Sequence, residues 1–541
     1  MAAIESRIDT ASEAFQRNRE DMLAALAQVR AVEGNVREAE QASAEKFRKR
    51  QQLLPRERVQ SVLDRGSPFL EIGSLTGYRM HDDKDGSLAG GNTIAGIGYI
   101  GGVRCILSAS NSAIKGGTVT PWGMRKTLRV QEIALKQKLP LLSLVESGGA
   151  NLLYQAETFI DGGRIFANQA RLSAAGVPQV TVVHGSSTAG GAYLPGLSDY
   201  VVMVRGQAKV FLAGPPLLLA ATGEVATDED LGGAQMHAQV AGTSEYVAEN
   251  DADGLRIARE ILAAIDWNKD RPAFAERAVR EPLYSAEELC GVVPVDYRKP
   301  YDCREVIARI ADASEFLEFK SEYDGQTVCG HASIHGMPVG VIGNNGPITT
   351  HGATKAAQFM QLCDQAGLPL VFLMNTTGFM VGSESEQNGI VKHGSKMIQA
   401  IANVRVPRIT IVIGASFGAG NYGMSGRGFD PDFIFAWPNA RTAVMGGEQA
   451  AKVMSVISRE KFVKAGTQPD ADEEARITAM RAGIVKQFDH DSHPLSATAR
   501  LYDDGLIDPR DTRKVLAYTL SICREARARP LNPNSFGAAR F

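Results

Sequence analysis

Through residues 1–64 apolar side chains recur at helical spacing among many charges and glycine is nearly absent, which predicts a helical arm. From 69 to 110 the pattern changes to short β-rich runs broken by glycine turns. Apolar runs over 139–145, 180–183, 201–204 and 210–212 then read as buried strands, separated by helical stretches near 123–137 and 164–175. Strands alternating with helices imply βαβ units and an α/β fold. A polar stretch from about 253 to 300, carrying Trp267, Pro272, Pro282, Pro294 and Pro300, marks the natural boundary. Beyond it the order recurs: β-rich 328–342, a helix near 352–366, a strand over 370–374, a helix near 387–402 and a strand over 409–413. The tail from 497 is again helical and charged. The expected organisation is an arm over 1–64, a first domain over 65–290 and a second over 291–541.

The recurrence is also one of sequence. Val177, Pro178, Thr181, Val183, Gly185, Ser187, Gly191 and Tyr193 return 229 positions later as Val406, Pro407, Thr410, Val412, Gly414, Ser416, Gly420 and Tyr422. The same offset matches Leu139–Pro140–Leu141 to Leu368–Pro369–Leu370, and Gly123 and Lys126 to Gly352 and Lys355. Downstream it becomes 233, pairing Asp199 and Gly214 with Asp432 and Gly447, as a small loop insertion would produce. The period is far too long for a solenoid, so the chain reads as two homologous domains.

Composition narrows the function. The 541 residues are 44% hydrophobic with 55 glycines, as in a soluble globular protein, and the net charge of -3 leaves no nucleic-acid footprint. Lys46, Arg48, Lys49 and Arg50 read as a solvated helix face. Six scattered cysteines without a CxxC pair suggest neither a disulfide framework nor a zinc site, so no metal is expected. No apolar run reaches membrane-spanning length, and the acidic residues among the first thirty resemble neither a signal nor a transit peptide. A cytoplasmic protein is expected.

Three motifs invite chemistry. Residues 96–101 spell Gly-Ile-Gly-Tyr-Ile-Gly, but the dinucleotide fingerprint needs a helix next, and here 103–107 continue as strand. No nucleotide is expected. Residues 414–418, Gly-Ala-Ser-Phe-Gly, match a nucleophile elbow and make Ser416 a candidate serine, with His490 and His493 as candidate bases. The first copy, however, repeats the glycines beyond the serine, so backbone shape is the shared feature. The third motif is that shape: a strand running into Thr188-Ala189-Gly190-Gly191-Ala192-Tyr193, and again into Phe417-Gly418-Ala419-Gly420-Asn421-Tyr422, with a helix expected next. Successive uncrowded N–H groups there form an anion site able to hold an enolate oxygen. Close helix–sheet packing through glycine is the alternative.

At these residues the chain resembles the carboxyltransferase β-subunits of biotin-dependent acyl-CoA carboxylases. The likeness extends over Leu54-Pro55-Arg56-Glu57-Arg58-Val59, Glu146-Ser147-Gly148-Gly149-Ala150, Gly214-Pro215-Pro216, Ala221-Thr222-Gly223-Glu224, Asp230-Leu231-Gly232-Gly233, Gly343-Asn344-Asn345-Gly346 and Met445-Gly446-Gly447-Glu448, in order. It implies two tandem crotonase-like (ClpP/crotonase) domains behind the arm. It further implies that Gly190 and Gly191 hold a thioester enolate oxygen, and that Ala419 and Gly420 steady the ureido oxygen of biotin. The acyl-CoA side would include Gly148, Gly149, Ala150, Gly162, Gly163, Ala189 and Lys126, with Lys115 and Arg125 nearby. The biotin side would include Gly214, Pro215, Pro216, Phe417, Gly418 and Asn421. No side-chain base is implied, and His184, matched by Ile413, reads as structural. A separate α-subunit would carry the biotin carboxylase and the biotin. The family's shared sites imply a homo-oligomer, a hexamer within an α6β6 complex.

Phe417 to Met424 bring the likeness nearest the methylcrotonyl-CoA and geranyl-CoA carboxylases. Methylcrotonyl-CoA enzymes carry a longer segment ending Phe-Gly-Arg-Ile-Phe; here 159–166 read Phe-Ile-Asp-Gly-Gly-Arg-Ile-Phe, with Gly162 where the phenylalanine would stand. The missing ring predicts room for a geranyl chain, carboxylated at its γ-methyl carbon. The alternatives are 3-methylcrotonyl-CoA, a biotin-dependent decarboxylase working in reverse, and an inactive scaffold.

Overall fold

Phe15, Met22, Leu26, Val29, Val32 and Val36, spaced three, four or seven apart, line the buried face of helix α1 (Glu13–Gln41). Two short helices, α2 (Ala44–Lys49) and α3 (Pro55–Val62), complete the arm. The computed structural model describes residues 2–269 and 277–538; Pro272 of the polar stretch lies outside them. Among those residues no helix is long and apolar enough to cross a membrane.

The described residues form two compact units. One gathers those of Met1–Val29, Ala275–Thr498 and Tyr502–Ser521, the other those of Arg30–Phe274, Ala499–Leu501 and Ile522–Phe541. This path departs from the consecutive division 1–64, 65–290 and 291–541. Helix α1 leaves one unit at Val29 and enters the other at Arg30, and the helix Thr512–Ala528 makes a second passage near the C-terminus. The polar boundary also begins later than 253. Residues 251–264 are helical, and Leu255, Ala258, Ile261 and Leu262 pack into a hydrophobic core with Val180, Val182 and Val202.

In the unit of residues 30–274 the strands are β1 (Leu70–Glu71), β2 (Thr93–Ile100), β3 (Val103–Ser110), β4 (Leu141–Val145), β5 (Gln179–Val183), β6 (Ser186–Thr188), β7 (Tyr200–Val204), β8 (Lys209–Phe211) and β9 (Tyr246–Ala248). Seven form one sheet in the order β1-β2-β3-β4-β5-β7-β9, antiparallel up to β3 and parallel from there, while β6 pairs with β8. Helices α4 (Pro121–Lys136) and α5 (Gln155–Ala174) make the crossovers from β3 to β4 and from β4 to β5. The nucleotide-like glycines belong to the opening hairpin. Gly96 and Gly98 lie inside β2, where a Cβ would strike Phe69 and Leu63, and Gly101-Gly102, at φ +59° and +77°, make the two-residue turn into β3.

The other unit repeats the plan with β10 (Leu317–Phe319), β11 (Thr327–Ile334), β12 (Met337–Asn344), β13 (Leu370–Thr376), β14 (Arg408–Phe417), β15 (Phe433–Ala436) and β16 (Arg441–Ala443). An antiparallel β10-β11-β12 start leads into parallel β13-β14-β15, with β16 on the far end of β14. The helices Thr350–Ala366 and Ile390–Asn403 are its crossovers. Strand β14 corresponds to β5 and β6 joined: positions 415–417 answer 186–188 at the same offset of 229, and β16 pairs there as β8 pairs with β6. The helices Gly447–Ala465 and Ala471–Ser492 were not anticipated from the hydropathy pattern.

Candidate active site

Both glycine segments turn the same corner. Ala189 and Gly418, equivalent in the repeat, leave their strands with left-handed backbones at φ +53° and +55°. A short helical stretch follows each: a 3-10 turn over Ala189–Ala192 running into an α-helical turn at Tyr193–Gly196, and a helix of six residues over Gly418–Gly423. The expected helix begins at both corners but is short, so what each corner presents is a few individual N–H groups more than a macrodipole. Among the described residues no backbone bond outside their own helical turns engages the N–H of Gly190, Gly191, Ala419 or Gly420. Close packing explains one of these glycines and not the others. A Cβ on Gly420 would lie 2.9 Å from both Gly378 Cα and Thr376 Cγ2, whereas on Gly190 and Gly191 the nearest atoms are Phe166 Cζ at 3.8 Å and Ser187 Oγ at 3.6 Å. A Cβ on Gly190 or Gly191 would make only ordinary van der Waals contact.

Beside the first corner, the segment after β4 is laid down by backbone hydrogen bonds. The Ser147 N–H donates to Ser186 O, that of Gly148 to Gly116 O, and that of Val119 to Gly149 O. Gly149 sits at φ +89°, and Ala150 bridges Val119. Gly162 and Gly163 lie inside α5; a Cβ on Gly162 would touch only Met124, at 3.6 Å, and one on Gly163 nothing within 4 Å. Neither glycine is demanded by packing.

Beneath this segment lies a charged network that the sequence reading missed. The buried Arg58 guanidinium meets Glu146 at 2.6 Å and Asp251 at 2.9 Å, and Asp251 accepts from the His184 ring at 2.8 Å. His184 is wholly buried, as expected of a structural residue; burial and the nearby Arg58 charge hold its pKa below the ordinary value. A signal existed: Glu146 answers Asn375 at the repeat offset, and each packs against the matching glycine, Gly185 or Gly414.

Lys126 is corrected. Its side chain is 1% exposed and donates to Thr93 O at 2.5 Å and Gly90 O at 3.1 Å, so it cannot grip a CoA phosphate. Burial lowers its pKa to about 8. Lys355, its repeat mate, is buried likewise and donates to Asp324 O. The repeated lysines are structural. Lys115 and Arg125 do reach the surface, Lys115 on Asp82 and Arg125 stacked 4.4 Å from the Trp122 ring.

At the second corner Phe417 is buried edge-on to Tyr297, with ring centroids 5.1 Å apart. Asn421 donates its amide to Ser416 Oγ at 2.7 Å. Ser416 is 0% exposed, and its hydroxyl is engaged with Asn421 and the Met374 sulfur. His490 contacts Asp491, and His493 borders a separate cavity with Arg441. The serine-nucleophile reading fails, because a substrate cannot reach the oxygen and no histidine is placed to activate it. Phe417, Gly418 and Asn421 belong to one unit. Gly214, Pro215 and Pro216, which open the helix Pro215–Thr222, belong to the other.

The carboxyl transferase domain family matches residues 24–535. A probable biotin-dependent acyl-coenzyme A carboxylase β2 subunit of Mycobacterium tuberculosis is 51% identical over 470 residues, 87% of each chain. The mitochondrial methylcrotonoyl-CoA carboxylase β chain of Dictyostelium discoideum is 45% identical over 545 residues, 99% of this chain and 91% of its own. The crystal structure of the P. aeruginosa geranyl-CoA carboxylase β subunit matches with a TM-score of 0.93 and 61% identity, covering 100% of both chains. With two matching glycine corners and a likeness running nearly end to end, the chain belongs to the carboxyl transferase family and is a carboxyltransferase subunit of the biotin-dependent acyl-CoA carboxylases.

Proposed function

We propose that this subunit transfers a carboxyl group to the γ-carbon of geranyl-CoA. The observation that carries the reading is the 61% identity, over the whole of both chains, to the β subunit of a geranyl-CoA carboxylase. Gly162 supports it, since a helix position without a side chain leaves room where a phenylalanine would project. The N–H groups of Gly190 and Gly191 receive the thioester oxygen and hold its charge when the γ-proton leaves, because the double bond relays that charge to the same oxygen. The segment 148–150 and Ala189 line the acyl-CoA side. Ala419 and Gly420 offer the equivalent pair of donors to the ureido oxygen of biotin, with Phe417, Gly418 and Asn421 shaping that corner. Biotin, carried by a separate α-subunit, supplies CO₂ and a basic ureido nitrogen when carboxylated. The residues fit this division, since two amides without a backbone partner outside their own turn stand at each corner. The subunit works as a hexamer within an α6β6 complex in the cytoplasm.

A second reading, 3-methylcrotonyl-CoA, is favoured by the 45% identity to a methylcrotonoyl-CoA carboxylase β chain. The two separate in ATP- and bicarbonate-dependent carboxylation by the chain reconstituted with its α-subunit. Turnover of geranyl-CoA, lost in Gly162→Phe while a five-carbon substrate is spared, is the expected result. Turnover of 3-methylcrotonyl-CoA alone would keep the mechanism and remove the geranyl reading.

A further inference from the structure

The internal repeat supplies a control for one charged residue of the unit that holds β10 to β16. Arg441 opens β16 and pairs with Ala415, at the register where Lys209 opens β8 and pairs with Ser186, the residue 229 positions before Ala415. Both copies thus place a cation at the head of the same short strand. Their partners differ. Lys209 forms an ion pair with Asp228. Arg441 donates Nη1 to the backbone oxygen of Asp489 at 3.2 Å and, among the described residues, meets no carboxylate within 4 Å. A guanidinium left half-buried without a counterion is costly, and burial holds the Arg441 pKa below its ordinary value.

Arg441 lines a cavity of about 290 Å³ beside α1, whose walls are otherwise mostly apolar, with Ala25, Val29, Val295 and Leu495 among them. His493 lines it too. Its Nδ1 accepts from the Leu495 N–H at 3.2 Å, and burial together with the Arg441 charge takes its pKa down to about 4, so the neutral ring carries its proton on Nε2. That N–H and the Nε and Nη2 groups of Arg441 make no hydrogen bond among the described residues, and they are not sealed away from the surface. Asp21, the one acidic residue on the wall, is exposed on α1 and makes no ion pair with Arg441. The cavity therefore offers donors and a positive charge that the chain itself leaves unmatched.

We propose that this cavity binds a carboxylic acid with a short apolar tail, its carboxylate held by Arg441 and His493 in the place that Asp228 fills beside Lys209. A planar carboxylate matches the open edge of the guanidinium, Nε and Nη2, through two parallel hydrogen bonds. The volume is about twice the roughly 150 Å³ that takes a benzene ring, and so suits a tail of roughly five to eight carbons. The site is distinct from the glycine corner, since none of residues 417–421 lines it. Its occupancy does not depend on which acyl-CoA is carboxylated.

The test is calorimetric titration of the whole chain with hexanoate, with acetate and with hexanol, which separate charge plus tail from either alone. Hexanoate should bind saturably at one site per chain, with a Kd about tenfold or more below that of the other two. Arg441→Met should raise that Kd by about tenfold or more. Ala25→Leu fills the cavity from α1 and leaves the Arg441 bond to Asp489 in place; it should abolish hexanoate binding with thermal unfolding unchanged, and it decides the matter if Arg441→Met does not fold. Absence of saturable hexanoate binding to the wild type overturns the proposal. So does hexanol binding as tightly as hexanoate, or hexanoate binding that survives Ala25→Leu.

Discussion

Single residues show how one sequence position acquires different work in different surroundings. Lys126 has the charge to meet a phosphate, yet burial turns it inward onto two carbonyls. Lys126→Met should destabilise the protein by roughly 2–4 kcal/mol, because both carbonyls lose their donor, and should leave KM for acyl-CoA unchanged. Urea unfolding and steady-state kinetics check the two halves. The pH dependence has a definite sign. With a folded pKa of about 8 against an ordinary value of 10.5, the unfolded chain binds more protons across that window. The wild type should therefore gain stability relative to Lys126→Met as pH rises from 8 to 10.5, by up to about 1.4 kcal/mol per pH unit. Gly420 is constrained by backbone, since Gly378 Cα lies 2.9 Å from where a Cβ would be placed. Gly420→Ala must move the corner that aims the Ala419 and Gly420 amides. A fall in the carboxyl-transfer rate on the order of 10² is expected with the holoenzyme, and an unchanged rate would show that these amides are not used.

At the scale of elements, α5 carries two adjacent glycines in its interior, where glycine costs roughly 0.5–1 kcal/mol relative to alanine. Nothing lies within 4 Å of a Cβ on Gly163, so Gly163→Ala should raise stability by about that amount in chemical denaturation. The corners show the complementary limit of pattern reading. The strands ending there are legible as apolar runs, and the glycines as a repeated motif. The helix expected after them does begin, but runs only over 189–196 and 418–423, and the left-handed turn at Ala189 and Gly418 that precedes it is not legible in the pattern.

For the whole molecule, the consecutive domain boundaries give way to an interleaved path. The unit of residues 30–274 also takes in 522–541: Arg104 pairs with Glu525, and Lys138 donates to Arg529 O. A chain cut at 290 lacks those partners, and the remainder lacks the N-terminal residues, among which Ser6 donates to Glu305 and Phe15 packs on Gly291. Separate expression of 1–290 and 291–541 should accordingly give fragments without cooperative thermal unfolding, while co-expression restores it. Two independently cooperative fragments would contradict the interleaving.

The sequence by itself determined the duplication, the α/β layers, the two glycine corners and the family, because these rest on periodicity and on residue identities at fixed spacing, which need no knowledge of the chain path. It did not determine which neighbours each side chain would meet. Ser416 in a nucleophile-like motif, Lys126 in a basic cluster and the glycines of 96–101 all look chemical in one dimension; burial, carbonyl partners and a hairpin turn made them structural. Conversely, Arg58, Glu146, Asp251 and His184 are scattered along the chain and become one network only when the sheet brings them together. Contacts between residues distant in sequence are a property of packing, and packing alone decided them.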